Sequence, residues 1–248
     1  TGGVRGTLAN GVNYDVSASV GRSEVTFFIT NTINPNLASL QENIPTAYQP
    51  GAYIQTDRMM NLDLSYPVEV AGFHSPLNIA GGIEFRKEIF EIRNGDANSF
   101  AIDSSLSEQG FGIGSNGFPG FQPQDAGKND RGSIGAYIDL EADVTDQLLL
   151  GVAVRYEDFD DFGDTLNGKI AGRFQVTDTF AVRASASTGF RAPTVGQANV
   201  RNVTTAFTDG ELRDEATLPP TNPVAIQLGA TPLDPEESVN LAFGFVFN

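Results

Sequence analysis

The stretch Val12-Asn13-Tyr14-Asp15-Val16-Ser17-Ala18-Ser19-Val20 alternates apolar and polar residues without a break. Successive side chains of a strand point to opposite faces, so this segment reads as a β-strand with one greasy face and one polar face. The pattern recurs at Ile134, Ala136, Ile138, Leu140, Ala142 and Val144, and at Leu148, Leu150, Val152, Val154 and Tyr156. It returns at Ile170 to Val176, Phe180 to Ala186 and Val239 to Phe247, and less regularly at Leu62 to Val68 and Leu77 to Ile92. With Val4 to Leu8, and an extension of the first stretch through Ile29, the count is nine strands. Many run about 9 to 11 residues, the length a tilted strand needs to cross a bilayer, against about 5 or 6 in ordinary globular sheets.

Leu8 and Val12, Val144 and Leu148, and Val176 and Phe180 each bracket three residues, and only an odd loop length keeps the apolar set on one face. Connections at the other strand ends are long: residues 31–60, 93–130 and 190–236, with a shorter acidic one at 158–166. Short turns thus alternate with long loops, which all fall on one rim. Sequential strands linked this way make an up-and-down antiparallel meander, whereas a sandwich needs Greek-key crossings. The two faces alone leave a soluble β-sandwich open, because it also has one apolar and one polar side.

Fifteen Lys and Arg stand against 31 Asp and Glu, and the net charge of −16 repels phosphate backbones and argues against nucleic-acid binding. Without cysteine there is neither a disulfide framework nor a thiolate site. No run of 18 uncharged apolar residues marks a transmembrane helix, which leaves a membrane barrel open because its signal is alternation. The start, Thr1-Gly2-Gly3-Val4-Arg5, carries no signal peptide, as expected of a mature or truncated chain.

Several motifs resemble those of TonB-dependent outer-membrane receptors. Ser187-Thr188-Gly189-Phe190-Arg191-Ala192-Pro193-Thr194 is similar to the family's "GFRAP" signature, where a strand enters a long loop. Arg155-Tyr156-Glu157, Asp161-Phe162-Gly163 and Lys169 resemble its "RYE…DFG…K" hairpin. Asn61-Leu62-Asp63-Leu64 precedes Ala80 to Glu88, which fits "AxGxExRxE"; Gly117-Phe118-Pro119-Gly120-Phe121 fits a loop of some members. Pro235-Glu236-Glu237-Ser238-Val239-Asn240 resembles "PExSxN" at the start of a later strand.

The resemblance implies an all-β fold, part of a transmembrane outer-membrane β-barrel of about 22 strands with a plugged lumen. Residues 1–248 are then a partial barrel domain, truncated on both sides, with plug and remaining strands elsewhere. It also implies location in the bacterial cell outer membrane, contact with its lipid bilayer, and TonB-energised uptake through the plug. The ligand would be a scarce siderophore, cobalamin or glycan. A passive porin and a soluble sandwich binding module are the alternatives.

Among candidate sites, Phe190 and Arg191 are the ones the resemblance offers for ligand contact, beside a structural role for the motif. The acidic run Glu157 to Asp164 lacks the ligand spacing of a calcium loop and reads as a solvated loop. A second acidic stretch holds Asp209, Glu211, Asp214, Glu215, Asp234, Glu236 and Glu237; acid-rich loops favour a cationic or metal-bearing ligand. His74, the one histidine, cannot build a multi-histidine zinc site and reads as a turn residue. Asp139, Glu141 and Asp143 share one face as wall lining or plug contacts. No catalytic motif occurs, so neither an enzyme, a cofactor nor a resident metal is expected.

Overall fold

The alternating segments become nine consecutive strands of one antiparallel sheet in a computed structural model that describes residues 1–107, 109–208 and 211–247. They are β1 (Gly2–Thr7), β2 (Asn13–Thr30), β3 (Ala47–Val68), β4 (Leu77–Asn94), β5 (Gly127–Asp143), β6 (Leu148–Phe159), β7 (Gly163–Thr177), β8 (Phe180–Arg191) and β11 (Glu236–Phe247). Between the last two, β9 (Asn202–Thr208) and β10 (Glu211–Thr217) pair with each other as a separate hairpin. The sheet order follows the chain, β1 to β8 and then β11, and the sheet does not close on itself.

Register carries the two-faced pattern across the whole sheet. Val4 stands opposite Val16, Val16 opposite Leu62, Leu62 opposite Ile83, Ile83 opposite Ala136, and Ala136 opposite Tyr156. These side chains lie uncovered on the outer face: Val239 and Leu241 are 77% and 80% exposed and Phe243 is 69% exposed. Nine strands about 4.8 Å apart make a wall about 40 Å wide, and nine residues of strand are about 27 Å long. The apolar area is therefore on the order of 1,000 Å², well above the few hundred Å² that a soluble monomer leaves bare. That magnitude decides against the sandwich. On β4 the apolar set runs from Leu77 to Phe85 and on β6 from Leu148 to Tyr156, enough to cross a bilayer core. Near the short-turn rim Phe180 stacks on Phe245 and Phe247, with ring centroids 5.9 and 4.8 Å apart, as an interfacial aromatic group does.

Two of the three turns form as read. Leu8 and Val12 close a three-residue loop whose Gly11 adopts φ 87°, and Val144 and Leu148 close another. The third differs: Thr177 pairs with Phe180, leaving a two-residue turn, and a bulge between Gln175 and Thr177 restores the faces. The long connections also need correction. β3 begins at Ala47 and β5 at Gly127, so two loops shrink to residues 31–46 and 95–126. The acidic loop at 158–166 is only a turn of residues 160–162, because Asp158 and Asp164 pair as strand residues. The connection at 190–236 is not structureless: it holds a short helix (Val195–Asn199), the β9–β10 hairpin and a second short helix (Pro223–Gln227). Asp209 lies outside the described residues.

If the outer face meets lipid, the two faces must respond differently to the same charge. Val152→Arg, outward on β6, is expected to cost about 2–4 kcal/mol on folding of the full-length protein into lipid vesicles. Ala153→Arg, inward and opposite Asp139, is expected to cost less than 1 kcal/mol by the same equilibrium refolding measurement.

Candidate ligand-facing wall and rim

The inner face is a ladder of charges that reach across strands. Its inward positions include Asp57 and Asp63 on β3, Glu84, Arg86 and Glu88 on β4, Arg131 and Tyr137 on β5, and Arg155 and Glu157 on β6. Arg86 lies 3.3 Å from both Asp57 and Glu88, and Arg155 lies 3.3 Å from Glu84 and 3.0 Å from Glu157. The Tyr137 hydroxyl donates to Asp63 at 2.7 Å although β4 runs between them. Gly82 makes that crossing possible: a Cβ there would stand 2.5 Å from Asp63 Oδ1 and 2.6 Å from the Tyr137 ring. Gly135 does the same for Arg155, whose guanidinium would meet a Cβ at 2.9 Å. Gly82, Glu84, Arg86 and Glu88 belong to the "AxGxExRxE" motif and Arg155 and Glu157 to "RYE", so these motif positions record an inner-wall network. Asp139, Glu141 and Asp143 fall on this inner face too.

At the long-loop rim the network ends in Arg131, whose side chain is 4% exposed. Its guanidinium pairs with Glu88, approaches Asp161 at 3.4 Å, and donates at 2.6 Å to the Pro193 carbonyl. It also faces the rings of Phe159 and Phe162, at 5.3 and 5.7 Å from their centroids. Arg131 therefore staples the chain leaving β8 to β5. Phe190 joins this group edge-on to Phe159 at 5.7 Å, half-buried, while Arg191 stays exposed opposite Glu236 and outside the staple. Sequence reading missed Arg131, which sits next to a stretch read as loop and precedes the alternating residues of β5.

The loops over the rim are packed rather than loose. Phe121, 1% exposed, stacks on Tyr53 at 4.9 Å and meets Phe27 and Phe118 edge-on at 5.9 and 5.5 Å. Phe90, Ile92 and Val195 complete that cluster. Asn34 and Asn36 are fully buried; Asn34 Nδ2 donates to the carbonyls of Asn98 and Ala101, and Asn36 Nδ2 to that of Gly112. Residues 31–46 and 95–126 thus hold each other through satisfied polar groups. Asp103 adds a link, accepting from the hydroxyls of Ser39 and Ser105, which hold its carboxyl below the ordinary aspartate value.

Three acids of the run are committed to neighbours: Glu157 to Arg155, Asp160 Oδ2 to the Gly132 amide at 2.8 Å, and Asp161 to Arg131. His74 is an exposed turn residue whose amide donates to the Asp143 carbonyl.

Comparison with known proteins agrees with this architecture. The family model described as "TonB dependent receptor-like, beta-barrel" matches residues 1–248. Among solved structures, the siderophore receptor PirA from Acinetobacter baumannii superposes with a TM-score of 0.63 at 16% identity, over 98% of this chain and 31% of that one. A G324V mutant of the ferric enterobactin receptor PfeA from Pseudomonas aeruginosa gives 0.62 at 14% identity, over 98% and 31%. PirA from Pseudomonas aeruginosa gives 0.56 at 14% identity, over 96% and 37%. The chain thus spans about a third of the length of these receptors, and at such identity the likeness is one of fold. No curated protein matches the chain.

Arg131→Ala would leave the Glu88 carboxylate with Arg86 as its remaining cation and release the Pro193 carbonyl. The expected result is a loss of about 1.5–3 kcal/mol at this site and faster amide exchange in residues 194–200, read by hydrogen-exchange mass spectrometry. For Asp103 the depressed value means that its link is present above the ordinary aspartate value and is lost as pH falls through the lower folded one. Amide protection near Ser39 and Ser105, referred to the intrinsic exchange rate at each pH, is expected to fall below pH of about 4, and Asp103→Asn is expected to abolish that pH dependence.

Proposed function

The chain belongs to the TonB-dependent receptor β-barrel family, and on that premise we propose that it is wall and rim of an outer-membrane receptor for TonB-energised uptake of a siderophore. The observation that carries this reading is the pairing of an apolar outer wall with a charged inner wall and packed loops on one rim. A wall of nine strands cannot transport by itself. The proposal therefore concerns the full barrel, with residues 1–248 as a partial barrel domain, further strands and a plug that TonB acts on.

The siderophore class is favoured over cobalamin and glycan because PirA and PfeA are receptors of ferric chelates or siderophores by name and share this fold over nearly the whole chain. In this scheme the loops receive the ligand from outside, and the charged lining faces the plug. Phe190 and Arg191 stand where the wall meets the loops. We assign Arg191, exposed and without an ion pair among the described residues, to contact with anionic oxygens of the ligand, and Phe190 to holding the strand end on Phe159.

Uptake of radiolabelled iron on a siderophore by cells expressing the full-length protein, starved of iron, tests the reading. Loss of uptake when TonB is disrupted is expected, and Arg191→Ala is expected to raise the half-saturating concentration about tenfold with an unchanged maximal rate. Uptake that persists without TonB would point to passive diffusion and sink the proposal.

A further inference from the structure

Charge is segregated on the inner face. From β3 to β6 the inward cations stand among carboxylates, Arg86 between Asp57 and Glu88, and Arg155 between Glu84 and Glu157. The inward positions of the last three strands read differently. β7 presents Lys169, Ala171, Arg173 and Gln175, β8 presents Arg183, Ser185, Ser187, Gly189 and Arg191, and β11 presents Asn240, Ala242 and Gly244. Glu236, opposite Arg191 at the loop rim, is the one inward carboxylate of these strands among the described residues.

Arg173 and Arg183 stand directly opposite each other, both exposed. Like charges in opposed register repel, with Cβ atoms about 5 Å apart. No acid relieves them, for neither arginine has an ion pair among the described residues. Arg173 donates to the Gln175 side chain at 3.1 Å, and Arg183 lies over Gly244, where a Cβ would stand 2.9 Å from its Nε. The nearest inward carboxylates across the sheet, Glu141 and Asp143, are two strands from β7, about 10 Å away. A hollow of about 350 Å³ lies over the pair, with Lys169 and Ser185 also lining it and no carboxylate among its residues. Two guanidinium forks side by side with an ammonium near them complement a ligand that carries several anionic oxygens.

We infer that this hollow is a second station for the ligand inside the lumen, holding a polyanionic ferric chelate on Arg173, Arg183 and Lys169 after it has left the loop rim. The station rests on the uptake reading above. Arg191, placed there at the ligand's oxygens, shares the inward face of β8 with Arg183, eight residues away, which is about 26 Å of strand. Between them Ser187 and Ser185 offer hydroxyls that donate to an anionic oxygen without adding a charge to trap it. The carboxylates of β3 to β6 repel an anion toward this side of the wall.

The test offers two radiolabelled probes of opposite charge to iron-starved cells expressing the full-length protein: a trianionic ferric tris-catecholate and a ferric trihydroxamate that carries a free amine. TonB-dependent uptake of the tris-catecholate is expected. With Arg173 and Arg183 both changed to Gln, its binding to chilled cells is expected to stay unchanged while its uptake rate falls about tenfold. With both changed to Lys, which keeps the charge, about half of the rate or more is expected to remain. Folded barrel is verified for each variant by resistance to unfolding in cold dodecyl sulfate. Unchanged uptake in the glutamine variant, an equal loss in the lysine variant, or weaker binding to chilled cells would overturn the station. Entry of a bulky antibiotic into cells of the glutamine variant with TonB disrupted would overturn it too, by showing that the cations hold the plug in place. TonB-dependent uptake of the trihydroxamate alone refutes only the station, and TonB-dependent uptake of neither probe refutes the reading and the station together.

Discussion

Antiparallel register is the constraint on which everything else in this chain depends. In a wall that spans a bilayer each backbone amide and carbonyl must find its partner on a neighbouring strand, since lipid offers none and an unpaired group there costs several kcal/mol. A slip by one residue keeps the bonds but exchanges the faces, placing Arg155 and Glu157 outward and Val154 and Tyr156 inward. The ladders from β1 to β8 hold one register across the apolar band. Their two irregularities fall at Phe27/Ile29 and Gln175/Thr177, beyond the band at opposite rims, where neither face is committed to lipid.

Packing is inverted relative to a soluble domain. The middle of the sheet has an uncovered apolar outside and a charged inside, and the buried cluster lies at the rim, where Phe121, Ile92 and Val195 meet under the loops. Burial of Phe121 against Tyr53 and Phe27 offsets the entropy of ordering residues 95–126, and the buried asparagines fix their register against residues 31–46. Arg131 ties the third long connection to the same rim through one carbonyl. Loops so anchored present a preformed surface, which lowers the ordering cost of receiving a ligand.

Alternation made the wall legible, down to the number of strands in the main sheet. It failed where the faces stop contrasting. From Ala47 to Gln55 the chain reads as a loop because Pro50 and Gly51 break the pattern, yet Gly51 at φ 132° still pairs with Phe27 and Asn94. The space a side chain of residue 51 would fill is taken by the Arg93 carbonyl and the Phe121 ring, partners 42 and 70 positions along the chain that no local window contains. The β9–β10 hairpin was hidden by acidic residues that carry no alternation, and Arg131 by a role set by residues on two other strands, a turn and a loop. The turn at Asp178 was misjudged by one residue because its odd parity is equally served by a two-residue turn plus a bulge.

The low identity to receptors of the same fold follows from the same physics. An outward position needs only to be apolar, so Val, Ile, Leu and Phe substitute for one another there with little cost, and the wall can drift to 13–16% identity while keeping its shape. Residue type is forced only where a side chain must pass over a neighbouring strand or reach a buried partner. Gly82 is forced by the Tyr137 crossing, Gly135 by Arg155, Glu88 by Arg131, and Glu84 by Arg155. Of these, Gly82, Glu84 and Glu88 lie in the stretch that fits "AxGxExRxE". That stretch is thus a trace of contacts on the inner face, and the apolar outer face leaves a period of two and almost nothing else.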